Sequence, residues 1–137
     1  MMSAIAFALA KFKVGDLAVL EHFYTAALGF TVTARIEEGE GDHQIRELIL
    51  GLGGEQPHFA LIHYPNQPVP LPGEAIVALV VADLESALAK VVAHGGTDQT
   101  GVIPVPDWNL KLAFVTDPEG HQLELMQKLP AETGARW

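Results

Sequence analysis

One tetrapeptide pattern occurs twice in this chain. Val14-Gly15-Asp16-Leu17 returns as Val81-Ala82-Asp83-Leu84, 67 residues later (81 − 14). Each copy follows a short apolar run, Leu9 to Val14 and Ile76 to Val81, and each opens a segment with helical spacing. In the first, Leu17, Leu20, Phe23, Tyr24, Ala27 and Leu28 fall on one helix face; in the second, Leu84, Ala87, Leu88, Val91 and Val92 do. Asp16 and Asp83 stand where an N-cap carboxylate accepts unpaired backbone N–H groups and meets the positive end of the helix dipole. Gly29 and Gly96, again 67 apart, stand where a helix end wants a left-handed residue.

After each glycine the period changes from helical to alternating, as strands require. The predicted strands are Phe30 to Ile36, Gln44 to Leu50 and His58 to Tyr64, then Thr97 to Ile103, Leu110 to Thr116 and Gln122 to Gln127. Asp117-Pro118-Glu119-Gly120 is a turn joining the last two. The final strands align at an offset of 63, which sets Leu61 against Glu124 and His58 against His121. Pro65 to Gly73 holds four prolines and reads as a linker. The layout is therefore α+β, two βαβββ modules in tandem within one domain: module one about 5–64, linker about 65–73, module two about 74–129. Two copies are too few for a solenoid.

Composition narrows the partners. Eight Lys+Arg against seventeen Asp+Glu give a formal charge of −9 over 137 residues, so neither nucleic acid nor an anionic membrane surface is expected. Cysteine is absent, which removes disulfides, thiolate metal sites and thiol nucleophiles together. The apolar run Met2 to Ala10 is short, lacks a preceding cation and reads poorly as a signal peptide. No stretch approaches the ~20 apolar residues of a membrane span. A cytoplasmic location is expected.

Two segments carry a family likeness: Phe23-Tyr24-Thr25-Ala26-Ala27-Leu28-Gly29-Phe30, and Phe114-Val115-Thr116-Asp117-Pro118-Glu119-Gly120-His121-Gln122-Leu123-Glu124-Leu125. With the duplication, they make the chain resemble the vicinal oxygen chelate superfamily, which includes glyoxalases, bleomycin-resistance proteins and extradiol dioxygenases. The resemblance implies a glyoxalase-like fold in which the two modules form a cup-shaped mixed sheet. It also implies a homodimer, with modules swapped or unswapped. In glyoxalase-like members the resemblance places four metal ligands in the cup, one on the first and one on the last strand of each module. The corresponding positions here are Leu9, Ile76, Leu61 and Glu124, of which only Glu124 is a donor. One carboxylate among aliphatic groups does not hold a divalent cation, which needs several donors. No cofactor is therefore expected, with a noncanonical divalent site as the alternative.

Strand alternation then predicts what lines the cup. Lys11 and Lys13 accompany Leu9; Phe59 and His63 accompany Leu61; Ala78 and Val80 accompany Ile76; Gln122 and Met126 accompany Glu124. An apolar floor with a few convergent polar groups is the ordinary form of a small-molecule site. The expected ligand-binding set is Lys11, Lys13, Phe59, Leu61, His63, Trp108, Gln122 and Glu124. Each has a plainer reading: edge-strand lysines that discourage aggregation, a rim histidine, a sheet carboxylate, and a tryptophan that covers one end of the barrel rather than a flat ligand. Glu47 lies on an alternating strand of unfixed orientation and becomes a second carboxylate candidate if it faces inward.

Two functions follow. One is a metal-free protein of the bleomycin-resistance type that binds a small organic molecule in the apolar cup. The other is a lyase or isomerase, in which Glu124 or His63 moves a proton and Lys11 or Lys13 stabilises an oxyanion, or which uses a noncanonical metal.

Overall fold

The computed structural model describes residues 4–54 and 57–130; the first residues of the N-terminal apolar run fall outside them. In chain order the elements are β1 (Ala10–Lys13), α1 (Leu17–Ala26), β2 (Thr31–Glu38), β3 (Ile45–Gly51), β4 (Phe59–His63), β5 (Ile76–Val80), α2 (Leu84–Ala93), β6 (Thr97–Asp98), β7 (Ile103–Val105), β8 (Leu110–Thr116) and β9 (Gln122–Lys128). The α+β, twice-βαβββ expectation is met with one difference. The strand expected over Thr97 to Ile103 is two short pieces, β6 and β7. Gly101 adopts φ +67° and its N–H donates to the Asp98 side chain at 2.8 Å, which closes a turn where the strand was to continue.

Each sheet repeats one topology. The first has the order β1-β4-β3-β2, the second β5-β9-β8-β6, with β7 also paired to β8. In both, the first strand of the module runs parallel to the last, and the other pairings are antiparallel. The chain forms two compact units, Met1–Leu17 with Phe30–Pro70, and Ala18–Gly29 with Leu71–Trp137. Nearly all of α1 is thus counted with the second unit, although it lies in sequence between strands of the first.

The first unit buries Phe12, Leu48, Leu50, Phe59 and Leu61. Phe59 meets Phe12 edge-on at 5.1 Å between ring centres, and Phe30 packs 5.7 Å away. In the second unit α2 buries Leu84, Ala87, Leu88 and Val91 and contacts β6, β8 and β9. The sheet residues Ala113, Val115, Leu123 and Leu125 are fully buried. Asp83 caps α2 as expected, its carboxylate accepting the Ser86 N–H at 3.0 Å.

The helix ends correct one expectation. Gly29 adopts φ +76°, but after α2 the left-handed residue is Gly95, at φ +96°, not Gly96. Gly96 is required for another reason: a Cβ there would stand 2.6 Å from the Thr116 carbonyl oxygen and 2.9 Å from the Phe23 ring. No helix among the described residues is long and apolar enough to cross a membrane.

Candidate functional site

Register decides which side chains share a face. In the second sheet Ile76, Ala78 and Val80 pair with Gln122, Glu124 and Met126, which in turn stand opposite Thr116, Phe114 and Leu112. These residues occupy one face, and the fully buried Leu123, Leu125, Ala113 and Val115 occupy the other. The first face is more open, with Ile76 and Val80 51% and 56% exposed. Gln122 and Glu124 therefore share a face with Ile76, Ala78 and Val80, as alternation predicts. Glu124 is half-buried between Ala78 and Phe114, and its carboxylate makes no hydrogen bond or ion pair to any described residue.

In the first sheet Lys11 and Lys13 pair with Ala60 and Ile62, and these stand opposite Ile49 and Glu47. Six side chains thus share one face. From β1 the Lys11 side chain reaches across β4 to β3, where its ammonium lies 2.6 Å from Glu47 Oε2. Between them β4 contributes Ala60, whose methyl group leaves room for the lysine stem. Glu47 is 4% exposed and Lys11 45%. No donor is aligned on the buried Oε2, so the ammonium supplies charge at close range without a well-directed hydrogen bond. Lys13, on the same face, carries its ammonium 5.4 Å from the centre of the Tyr64 ring.

This register corrects the expected cup lining. Phe59, Leu61 and His63 lie on the opposite face from Lys11 and Lys13, with Phe12, Leu48 and Leu50. Leu61 and Phe59 are core residues. His63 holds the chain together locally, its Nδ1–H donating to the Val14 carbonyl at 2.8 Å. The error traces to the repeat offset. Ala78 pairs with Glu124 and its repeat mate Lys11 (67 apart) pairs with Ala60, so the counterpart of Glu124 is Ala60, at an offset of 64 (124 − 60). By the same reasoning the counterpart of Glu47 is Leu112, through Ile62 and Met126.

The donor positions implied by the resemblance can now be tested. Leu9 and Ile76 offer no donor, and neither Leu61 nor Ala60 does. Glu124 stands alone, and among the described residues no group of three His, Asp or Glu side chains could hold a metal ion. These residues do not fit the family's divalent cation.

A second polar cluster escaped the sequence reading, which took Asp117 for a turn residue and only set His121 against His58 across the repeat. Asp117 is 2% exposed and receives five donors. Tyr24 Oη donates to Oδ2 at 2.7 Å and His121 Nδ1 at 2.8 Å. The N–H groups of Glu119, Gly120 and His121 donate to Oδ1 at 2.9–3.1 Å. Burial first, then the Asp117 charge, pushes the Tyr24 phenol well above its ordinary value. The four-residue separation of Asp117 and His121 across a Pro-Glu-Gly turn was the available signal.

Trp108 closes a short 3-10 turn, Pro106–Trp108, and is 43% exposed. Asn109 ties that turn to the end of β9 through the carbonyls of Leu129 and Pro130. A groove of about 400 Å³ runs beside the end of α1 and the start of α2, lined by Ala27, Gly29, Val81, Asp83, Ser86 and Lys90 among others. Its one carboxylate, Asp83, is already engaged as the α2 cap.

The fold and the two duplicated sheets define a class. Residues 7–125 match the Glyoxalase/Bleomycin resistance protein/Dioxygenase superfamily, and the chain belongs to it. Among curated relatives, the lactoylglutathione lyase of Escherichia coli O157:H7 is 28% identical over 124 residues, covering 89% of this chain and 92% of that protein. An Arabidopsis thaliana relative named "Probable lactoylglutathione lyase, chloroplastic" is 28% identical over 123 residues; the chain spans 35% of its length. The fold matches a glyoxalase family protein from Bacillus cereus with a TM-score of 0.80 at 15% identity, covering 94% of this chain and 97% of that one. It also matches glyoxalase I of Leishmania major with a TM-score of 0.72 at 22% identity, covering 91% and 88%.

Proposed function

We propose that this chain binds a small organic molecule without a protein-held metal ion, as a superfamily member of the bleomycin-resistance type. One observation carries the reading: at the donor positions implied by the resemblance the chain has Leu9, Ile76 and a β4 aliphatic residue, and Glu124 alone remains. A dry, aliphatic surface disfavours an isolated ion and favours organic matter. Each unit offers its own candidate face for a ligand: that of Ile76, Ala78 and Glu124 in one, and that of Lys11, Ile49 and Glu47 in the other. A homodimer fits the exposed Ile76 and Val80 on edge strand β5 and the exposed Ile5 and Phe7 ahead of β1.

The test is an assay for lactoylglutathione lyase activity, with and without added zinc or nickel, beside a calorimetric screen of apolar small molecules in EDTA. Binding in EDTA without turnover is expected. Turnover that appears only with metal sinks the reading.

The Lys11–Glu47 pair supports a second reading, a metal-independent lyase or isomerase. A buried carboxylate beside an ammonium can take a proton while the ammonium steadies the oxyanion that forms. Turnover in EDTA that Glu47→Gln abolishes, with ligand binding kept, selects this reading over the first.

A further inference from the structure

We infer that the Lys11–Glu47 pair recognises an uncharged organic molecule that carries a hydrogen-bond acceptor beside a donor, as a primary carboxamide or a lactam does. Lys11 donates to the ligand's carbonyl oxygen, and Glu47 Oε1 accepts its N–H. This rests on the metal-free reading above and gives its ligand a chemical class.

The two modules show where chemistry has been added. Where the second sheet carries Ala78 and Leu112, the first carries Lys11 and Glu47. An aliphatic pair in one copy is an ion pair in the other. A solubilising role explains an exposed lysine on an edge strand. It does not explain Glu47, a carboxylate 4% exposed on an interior strand between β2 and β4, where burial of a charge is costly.

The two oxygens of Glu47 differ. Oε2 is sealed from solvent and lies 2.6 Å from the Lys11 ammonium. Oε1 is not sealed, and no described residue donates a hydrogen bond to it. The Lys11 side chain is 45% exposed, and an ammonium carries three N–H donors. An open acceptor and an open donor therefore stand side by side, joined through one carboxylate.

Charge on this face cancels. Lys11, Lys13, Glu38 and Glu47 lie on the same side of the sheet, two of each sign, so the face selects neither an acid nor an amine by its net charge. What remains is the directed pair. Ile36 and Ile62 stand opposite Glu47 on its two neighbouring strands. In such apolar surroundings a hydrogen bond gains strength and an unmade one is expensive. A ligand with the acceptor but no donor covers Oε1 and leaves it unpaired, which is how a polar site rejects an isostere.

The test titrates four probes of similar shape by calorimetry in EDTA: benzamide, acetophenone, benzoate and benzylamine. Acetophenone keeps the carbonyl of benzamide and places a methyl group where benzamide has its amino group. The proteins are the full chain, Lys11→Met, and the double variant Lys11→Ala/Glu47→Leu. Melting curves verify that both variants fold, and the double variant copies residues that the second sheet already accommodates. Benzamide is expected to bind saturably, and the other three at least about tenfold more weakly. Lys11→Met is expected to lose at least about tenfold in benzamide affinity, and the double variant to bind benzamide and acetophenone alike. Acetophenone, benzoate or benzylamine binding as tightly as benzamide overturns the inference and leaves the metal-free reading standing. Benzamide binding undiminished in Lys11→Met, or a benzamide preference kept by the double variant, overturns it likewise. No binding by any probe overturns it too, and binding that appears only after zinc is added overturns the reading beneath it.

Discussion

Among the described residues two carboxylates are buried, one in each compact unit, and they are treated differently. Asp117 in the second unit is met by a phenol, an imidazole and three backbone N–H groups. Glu47 in the first has one lysine, itself 45% exposed, and no aligned donor on its buried oxygen. A carboxylate satisfied five times is committed to the fold, because its acceptor sites have no room for a ligand. A carboxylate held by one half-exposed ammonium is not. The same contrast separates the sheets. The opposite faces match more closely, with Phe12 and Leu61 buried in one copy and Leu123 and Leu125 in the other.

The sharpest way to break that comparison is Asp117→Ala. It removes the carboxylate that accepts from Tyr24 Oη, the His121 ring and three backbone N–H groups in a buried site. A loss of about 3–5 kcal/mol is expected in denaturant unfolding; a loss under 1 kcal/mol would show that the two carboxylates are alike. Lys11→Met should cost less, about 1–3 kcal/mol, by leaving Glu47 without its cation. The double variant Lys11→Ala/Glu47→Leu should recover most of that loss, since it restores the aliphatic pattern of the second sheet. If the double variant is no more stable than Lys11→Met, the pair was not coupled.

The two helix ends offer a smaller contrast. Gly96→Ala is expected to cost about 1–3 kcal/mol through overlap with the Thr116 carbonyl. Gly29→Ala meets nothing within 4 Å and should cost about 1 kcal/mol through its positive φ alone. Equal losses in thermal unfolding would erase the distinction.

Tyr24 supplies a pH dependence. Its phenol is raised in the fold, so the unfolded chain releases this proton first as pH rises. The stabilisation is full below pH about 10. Above that, stability should fall by about 1.4 kcal/mol per pH unit while the folded phenol stays protonated. Tyr24→Phe should flatten that alkaline slope, and an unchanged slope would place its origin elsewhere.

Much of the fold was legible because duplication repeats its own punctuation. The Asp-Leu helix starts, the glycines after each helix and the Asp117–Gly120 turn all mark boundaries that backbone chemistry enforces. The candidate site was legible only in half. Alternation placed Gln122 and Glu124 correctly with Ile76 and Ala78, since β5 and β9 carry no irregularity between them. It failed for Phe59, Leu61 and His63 because a single-residue error in offset turns every side chain of a strand to the other face. Offsets of 67 at the first strands, 65 at Glu47 and Leu112 and 64 at the last strands show that the connecting loops changed length between copies. Strand patterning alone does not register such changes. The Lys11–Glu47 pair crosses an intervening strand, a contact that only the register of three strands reveals.

The claim that organic matter, not an ion, occupies this fold is tested most directly by elemental analysis of chain purified without chelator and equilibrated with zinc and nickel. The expected result is no stoichiometric metal, with the same trace content in Glu124→Ala. One divalent ion per chain, lost on Glu124→Ala, would contradict it.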